Sequence, residues 1–141
     1  MEHFMQSAIE LGKKAIPLCM DNPPVGCVLV RNNKIVARGH TNKPGAPHAE
    51  AMALSHLTGE SSDVAAFVTL EPCSFHGRTP SCAATLIKSG IKSVYVGIVD
   101  PDLRNNGKGI AMMKAAGIDV YVGALSSVIV AQLQDFLGHA H

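Results

Sequence analysis

Aromatic rings and an excess of basic charge are the features that this sequence has least of. It contains no tryptophan, only 4% of its 141 residues are aromatic, and 12 lysines and arginines stand against 11 acidic residues. A groove for single-stranded nucleic acid uses aromatic rings for base stacking, and binding to any phosphate backbone uses clustered basic charge. We therefore do not expect nucleic acid as a partner.

Long apolar segments are also missing. Runs such as 25–30 fall far short of the roughly 20 apolar residues that a membrane-spanning helix requires. The N-terminal residues lack the basic stretch and apolar core of a secretory signal. We therefore expect a cytoplasmic protein with no membrane partner. In that reducing compartment, the four cysteines favour metal binding or catalysis over disulfides.

The pattern of hydrophobic residues, which make up 47% of the chain, predicts one domain with a buried core over residues 1–141. Helical and strand periodicities alternate, and glycines and prolines separate the segments. The predicted helices cover residues 2–15 (stopped by Pro17), 48–57, 80–88, 107–116 and 126–137, and the predicted strands cover residues 25–30, 34–40, 63–70, 92–99 and 118–122.

This order of elements predicts an α/β fold in three layers. Asn32 and Asn33 supply the turn of an antiparallel hairpin, and strands joined by helices must cross over to lie parallel. We expect a mixed five-stranded sheet with an antiparallel N-terminal hairpin and helices on both faces. Because ligands of such sheets bind beyond the carboxyl ends of the strands, the loops after His40, Leu70 and Val99 are the expected location of the site.

Residues typical of zinc chemistry lie in these loops. His48 opens the second predicted helix, and Cys73 and Cys82 flank the entry to the third, where helix N-termini favour thiolates. Three protein ligands leave a fourth zinc position for water, which is the pattern of a catalytic site. A fourth ligand, for which His76 is the candidate, would instead make the site structural. Glu50, two residues beyond His48, is placed to move protons without binding the metal.

The spacing of these residues is similar to that of zinc deaminases, whose signature is His-x-Glu followed by Pro-Cys-x-x-Cys. Here eight residues separate Cys73 from Cys82, where the signature has two. With this expanded spacing, the chain resembles the deaminase domain of the bifunctional riboflavin-biosynthesis deaminase-reductase family. The stretches that carry the resemblance are, in order, 22–30, 47–51, 69–74 and 77–82. The family's reductase half has no counterpart in these residues, so we expect a standalone deaminase domain.

The resemblance implies a cytidine deaminase-like fold, a Zn²⁺ cofactor and a homo-oligomer, either a dimer or a tetramer. It implies hydrolytic removal of an amine from a diaminopyrimidinone ribotide in riboflavin biosynthesis, by attack of zinc hydroxide on the amine-bearing ring carbon. His48, Cys73 and Cys82 are then the zinc ligands, and Glu50 is the proton shuttle. The residues expected to contact the substrate are Asn22, His40, Phe75, Arg78, Asp100 and Asp102.

Two positions depart from the family pattern. Phe75 stands where the family usually has histidine, and Asp102 stands where it usually has asparagine. Phe75 offers an apolar face in place of a hydrogen-bond donor, and Asp102 repels a phosphate unless it bonds a hydroxyl or pairs with arginine or lysine. A deaminase of another base or nucleoside, of the cytosine or guanine type, is therefore an alternative. A non-catalytic zinc-binding regulatory domain is a second alternative.

Overall fold

A five-stranded mixed sheet between two layers of helices forms the fold, in a computed structural model that describes residues 2–75 and 80–137. The described elements follow one another in the predicted order, α-β-β-α-β-α-β-α-β-α. The helices are α1 (Glu2–Cys19), α2 (Ala49–Ser55), α3 (Cys82–Ser89), α4 (Lys108–Ala115) and α5 (Ser126–Leu133), and the strands are β1 (Gly26–Arg31), β2 (Lys34–His40), β3 (Ala65–Leu70), β4 (Ser93–Ile98) and β5 (Asp119–Val122). The predicted α/β fold class is confirmed.

The polarity of the strands brings the loops of interest to one edge of the sheet. The strand order is β2-β1-β3-β4-β5, with β1 antiparallel to both β2 and β3, and with β3, β4 and β5 parallel to one another. The hairpin turns at Asn32 and Asn33, whose φ angles of 51° and 62° are those that a type I′ turn requires. The ends of β2, β3 and β4 and the start of β1 therefore meet at one edge, which we call the carboxyl edge.

Alternate strand residues face two separate cores. On one face, Val28 and Phe67 belong to a buried cluster with residues of α1 and α5. On the other face, Cys27 and Val68 belong to a cluster with residues of α2, α3 and α4. Cys27 is fully buried there. The second face is the one that carries the helices of the site.

Three helix ends differ from the predictions. Pro17 does not stop α1, which continues to Cys19, because a proline near the end of a helix costs one hydrogen bond and the added residues bury Cys19 completely. α2 ends at Ser55 instead of residue 57, and α5 ends at Leu133 instead of residue 137. Beyond α2, the His56 and Leu57 N–H groups bond to carbonyls three residues back, and beyond α5 the Phe136 N–H does the same, a tighter turn that closes the helix. The other ends agree within two residues.

Candidate metal centre

α2 brings His48 and Glu50 to the carboxyl edge. His48 is the N-cap residue of α2, with an extended backbone and no side-chain cap hydrogen bond. The helix approaches the sheet closely because Gly39 in β2 has no side chain: a Cβ there would lie 2.0 Å from the carbonyl oxygen of Ala49. The contact of α2 with β2 therefore sets the positions of both His48 and Glu50.

The start of α3 brings the two cysteines together. Ser81 caps this helix: its Oγ accepts the Ala84 N–H at 3.2 Å and donates to the Cys73 carbonyl at 2.8 Å. The Ala83 N–H also donates to that carbonyl, at 3.0 Å. The Cys82 N–H donates to the Cys73 Sγ at 3.2 Å. Both thiols therefore lie at the N-terminal end of a helix, where the dipole favours thiolates.

The donor atoms of His48, Cys73 and Cys82 lie within 4.8 Å of one another, and the His48 Nδ1 is 3.1 Å from the Cys82 Sγ. Nitrogen and sulfur atoms that share one zinc ion are roughly 3.5 Å apart, because the Zn–S and Zn–N bonds are about 2.3 Å and 2.0 Å long. The three side chains therefore fit zinc with small adjustments. Cys19 and Cys27 are buried and, among the described residues, do not belong to this group.

A hydrogen bond between the two cysteine thiols shifts their pKa values in opposite directions. A hydrogen bond from Cys82 lowers the pKa of the Cys73 thiol to about 4. The same bond, together with burial, raises the pKa of Cys82 well above its ordinary value. Deprotonation is therefore favoured at Cys73 over Cys82, and a metal that binds both sulfurs would require both as thiolates.

Glu50 lies beside this group and is only 4% exposed. Burial raises the pKa of its carboxyl above the ordinary value, and the charge of His48 offsets part of that increase. A buried carboxyl with a raised pKa accepts and returns protons more readily near neutral pH than an exposed one. Its environment therefore has the properties that a proton shuttle needs.

A small cleft of about 40 Å³ adjoins these groups and has room for a few water-sized groups. Asn22, predicted to contact substrate, lines this cleft. Thr41 also lines it and was not predicted: its Oγ1 accepts the Val25 N–H at 2.9 Å and donates to the Pro23 carbonyl at 2.8 Å. Thr41 therefore holds the segment that carries Asn22, a role that no local sequence pattern indicates.

Three of the other predicted substrate residues lie around the loop after β4. Asp100 is 1% exposed, and its Oδ1 accepts the Asp102 N–H at 2.9 Å. The Asp102 carboxylate pairs with Arg104 at 2.6 Å. The Arg104 guanidinium lies over the Phe75 ring, 4.5 Å from its centroid. In the described parts of the chain, none of these four residues lines the cleft.

The remaining predicted residues fall into two groups. His40 is the last residue of β2 and is half-buried. Its Nδ1 lies 2.9 Å from the Thr41 carbonyl oxygen. His40 is not among the described residues that line the cleft. Arg78 and His76 lie outside the residues that the structure describes. Their proposed contacts with substrate and zinc stay predictions.

The fold and the donor group together define the class of protein. A three-layer mixed sheet with one histidine, two cysteines and a buried glutamate at two helix N-termini is the arrangement of a cytidine deaminase-like zinc protein. Residues 1–98 match the family described as the cytidine and deoxycytidylate deaminase zinc-binding region. The chain belongs to this family, and its cofactor is Zn²⁺.

Individual relatives show which members of the family this chain is similar to. The riboflavin biosynthesis protein RibD of Chlamydia pneumoniae is 45% identical over 134 residues, which are 95% of this chain and 36% of that protein. The structure of RibD from Acinetobacter baumannii, form 1, is 40% identical with a TM-score of 0.92, covering 96% of this chain and 38% of that chain. The diaminohydroxyphosphoribosylaminopyrimidine deaminase/5-amino-6-(5-phosphoribosylamino)uracil reductase of Thermotoga maritima is 38% identical with a TM-score of 0.85, covering 96% and 39%.

This chain therefore spans little more than a third of the length of the curated relatives that it matches. The resemblance to the riboflavin-biosynthesis deaminase-reductases that the sequence motifs indicated is confirmed.

Proposed function

We propose that the protein is a zinc-dependent hydrolytic deaminase of the aminopyrimidine ribonucleotide of riboflavin biosynthesis, the diaminohydroxyphosphoribosylaminopyrimidine. The observation that carries this proposal is the convergence of His48, Cys73 and Cys82 beside the buried Glu50. The substrate class is taken from the Thermotoga relative, whose name states a deaminase of that compound. The identity of 45% with a riboflavin biosynthesis protein supports the same substrate.

In this proposal, His48, Cys73 and Cys82 hold the zinc ion. One imidazole and two thiolates leave a fourth position open, as in other catalytic zinc sites. When bound, zinc supplies Lewis-acid activation of a water molecule. The cleft that adjoins the three side chains has the room for that water.

Glu50 carries the protons of the reaction. The reaction consumes one water molecule, converts the C–NH₂ group of the ring to C=O and releases one ammonia. Glu50 accepts one proton from the water and passes it to the neighbouring ring nitrogen. It then accepts the second proton from the hydroxyl group that has added to the ring carbon and passes it to the departing amine, which leaves as ammonia. The raised pKa that burial gives this carboxyl suits both transfers.

The pairing of Asp102 with Arg104 removes an objection to a phosphorylated substrate. An unpaired aspartate near the substrate would repel a phosphate. The Asp102 carboxylate is bound to the Arg104 guanidinium. The positive charge of Arg104 therefore compensates the negative charge of Asp102. The departure from the family pattern at this position therefore does not argue against the ribotide.

A homo-oligomer and a cytoplasmic location belong to the same proposal. Within residues 2–75 and 80–137, no helix combines the length and the apolar character that crossing a membrane requires. Light scattering after size-exclusion chromatography measures the oligomeric state; a mass of one chain contradicts the oligomer.

Ammonia release by the zinc-loaded protein tests the proposal. The ribotide is compared with cytidine, deoxycytidine monophosphate, guanine and adenosine, and Glu50→Ala serves as the blank. Turnover of the ribotide alone supports the proposal. Turnover of only another compound refutes the substrate and keeps the chemistry, and no turnover of any compound with zinc bound refutes the enzymatic function.

A further inference from the structure

A buried asparagine from the loop after β4 binds the backbone on both sides of Cys73. Asn105 has no solvent exposure. Its Nδ2 donates to the Pro72 carbonyl at 3.2 Å, and its Oδ1 accepts the Ser74 N–H at 3.1 Å. These two groups belong to the two peptide units that flank Cys73. One carboxamide therefore restrains both backbone torsions that direct the Cys73 thiol.

The same carboxamide is anchored within its own loop. Its Oδ1 also accepts the Gly109 N–H at 3.1 Å, and its Nδ2 also donates to the Asp100 Oδ2 at 3.3 Å. Two donors and two acceptors are the full capacity of an asparagine amide, so any rotation of the Asn105 amide breaks bonds. A Cβ at Gly109 would lie 1.9 Å from the Pro72 carbonyl oxygen, which shows how closely the two loops meet.

Glu71 joins the two loops a second time. Its buried carboxylate accepts the N–H groups of Asp100 at 3.0 Å, Gly107 at 2.9 Å and Ile110 at 3.0 Å. Two of these three donors lie at the N-terminal end of α4, so the anion position of this helix is occupied by a carboxylate of the protein itself. The loop that carries Asn105 is therefore bonded to the loop that carries Cys73, and Glu71 fills the place that an external anion would take.

We propose that Asn105 is a positioning residue that directs the Cys73 thiolate toward the zinc position before the metal binds. Bonds from Ser81 and Ala83 hold the Cys73 carbonyl from the side of α3, and Asn105 restrains the backbone from the opposite loop. The inference rests on the proposed function, because it takes Cys73 as a zinc ligand.

Loss of this restraint weakens metal binding while all three ligand side chains stay in place. A ligand that is already oriented loses little freedom when the metal binds. Hydrogen-bond partners of metal ligands typically contribute about 10- to 100-fold to metal affinity. We expect a loss in that range for a variant at Asn105.

Asn105→Asp is the variant that tests this role. It keeps the size of the side chain and its acceptor oxygen, but it places a second oxygen against the Pro72 carbonyl and the Asp100 carboxylate. Asn106→Asp is the matched control, because it adds the same charge one residue further along the same loop, at an exposed position.

Zn²⁺ affinity is measured by competition with a chromophoric chelator, and Co²⁺ is used to record the thiolate-to-metal charge-transfer band. Asn105→Asp should bind Zn²⁺ about 10- to 100-fold more weakly and give a weaker or shifted band. Asn106→Asp should match the wild type. Wild-type affinity and an unchanged band in Asn105→Asp would overturn the inference. No thiolate band in the wild-type protein would instead refute the zinc site of the proposed function.

Hydrogen exchange in the wild-type protein tests the inference even where Asn105→Asp does not fold. The Ser74 N–H bonds to Asn105, so it should exchange slowly in the metal-free protein and equally slowly with zinc bound. Protection that develops only after zinc is added means that the metal orders the loop. That result would overturn the positioning role of Asn105.

Discussion

Replacing Gly39 tests whether the contact of α2 with the sheet sets the geometry of the metal centre. In Gly39→Ala, the new Cβ would lie 2.0 Å from the Ala49 carbonyl oxygen and 2.6 Å from the Ala53 nitrogen. Carbon and oxygen atoms in close contact are ordinarily about 3.3 Å apart. Because both obstructing atoms belong to the backbone, no side-chain rotation relieves the overlap. α2 must therefore move away from β2 by roughly 1.3 Å.

This displacement acts on stability and on the site together. Overpacking of a core typically lowers the free energy of unfolding by about 1–3 kcal/mol. Because the clash in Gly39→Ala is with backbone atoms, we expect a loss of about 3 kcal/mol. α2 carries His48 and Glu50, so the same movement shifts the proposed zinc ligand and the proposed proton shuttle. A misplacement of about 1 Å costs about 100-fold in rate, and we expect kcat/KM to fall by at least that factor, with weaker Zn²⁺ binding.

Urea unfolding measures the free energy of unfolding, and ammonia release and Zn²⁺ competition measure the site. Gly117→Ala is the matched control: its φ is +93° and nothing lies within 4 Å of the added Cβ. The left-handed backbone makes this alanine cost about 1–2 kcal/mol without moving α2, so kcat/KM and Zn²⁺ affinity should stay at the wild-type level. Wild-type stability in Gly39→Ala would refute the close contact, and lost stability with an intact site would refute its link to the metal centre.

Three other changes probe the site and the core. Glu50→Gln should lower kcat by about 10²- to 10⁴-fold at unchanged zinc stoichiometry, and it should make the metal-free protein more resistant to urea because a buried carboxylate is removed; unchanged turnover would contradict the shuttle role. Phe75→His combined with Asp102→Asn should leave the kcat/KM of the ribotide relative to cytidine unchanged, because Arg104 already compensates Asp102; a raised ratio would show that these positions select the substrate. Leu133→Ala in α5, where Leu133 is fully buried, should cost about 2–5 kcal/mol by urea unfolding. That variant should leave Zn²⁺ affinity unchanged, since α5 packs on the opposite face of the sheet; weaker zinc binding would show that the two faces are coupled.

The sequence by itself determined the order of elements and indicated the candidate donor group that the structure brings together. Hydrophobic periodicity is a local property, so it placed all ten described elements in order, with glycines and prolines between the segments. His48 and Glu50 lie within one helical turn, and the cysteines flank a helix start. Because strands of one polarity end at one edge of a sheet, these local patterns were sufficient to predict that the donor groups meet.

Only the tertiary structure decided how those groups are held. Asn105 bonds to Ser74 across 31 residues, and Glu71 bonds to Ile110 across 39. Contacts of this kind depend on how loops from different strands pack, which no local pattern records. The same holds for Pro17, where burial of Cys19 overrides the local tendency of proline to end a helix. Short motifs indicate which side chains are candidates to bind the metal. Their orientation is set by buried hydrogen bonds between distant segments, because only folding brings those donors and acceptors within bonding distance.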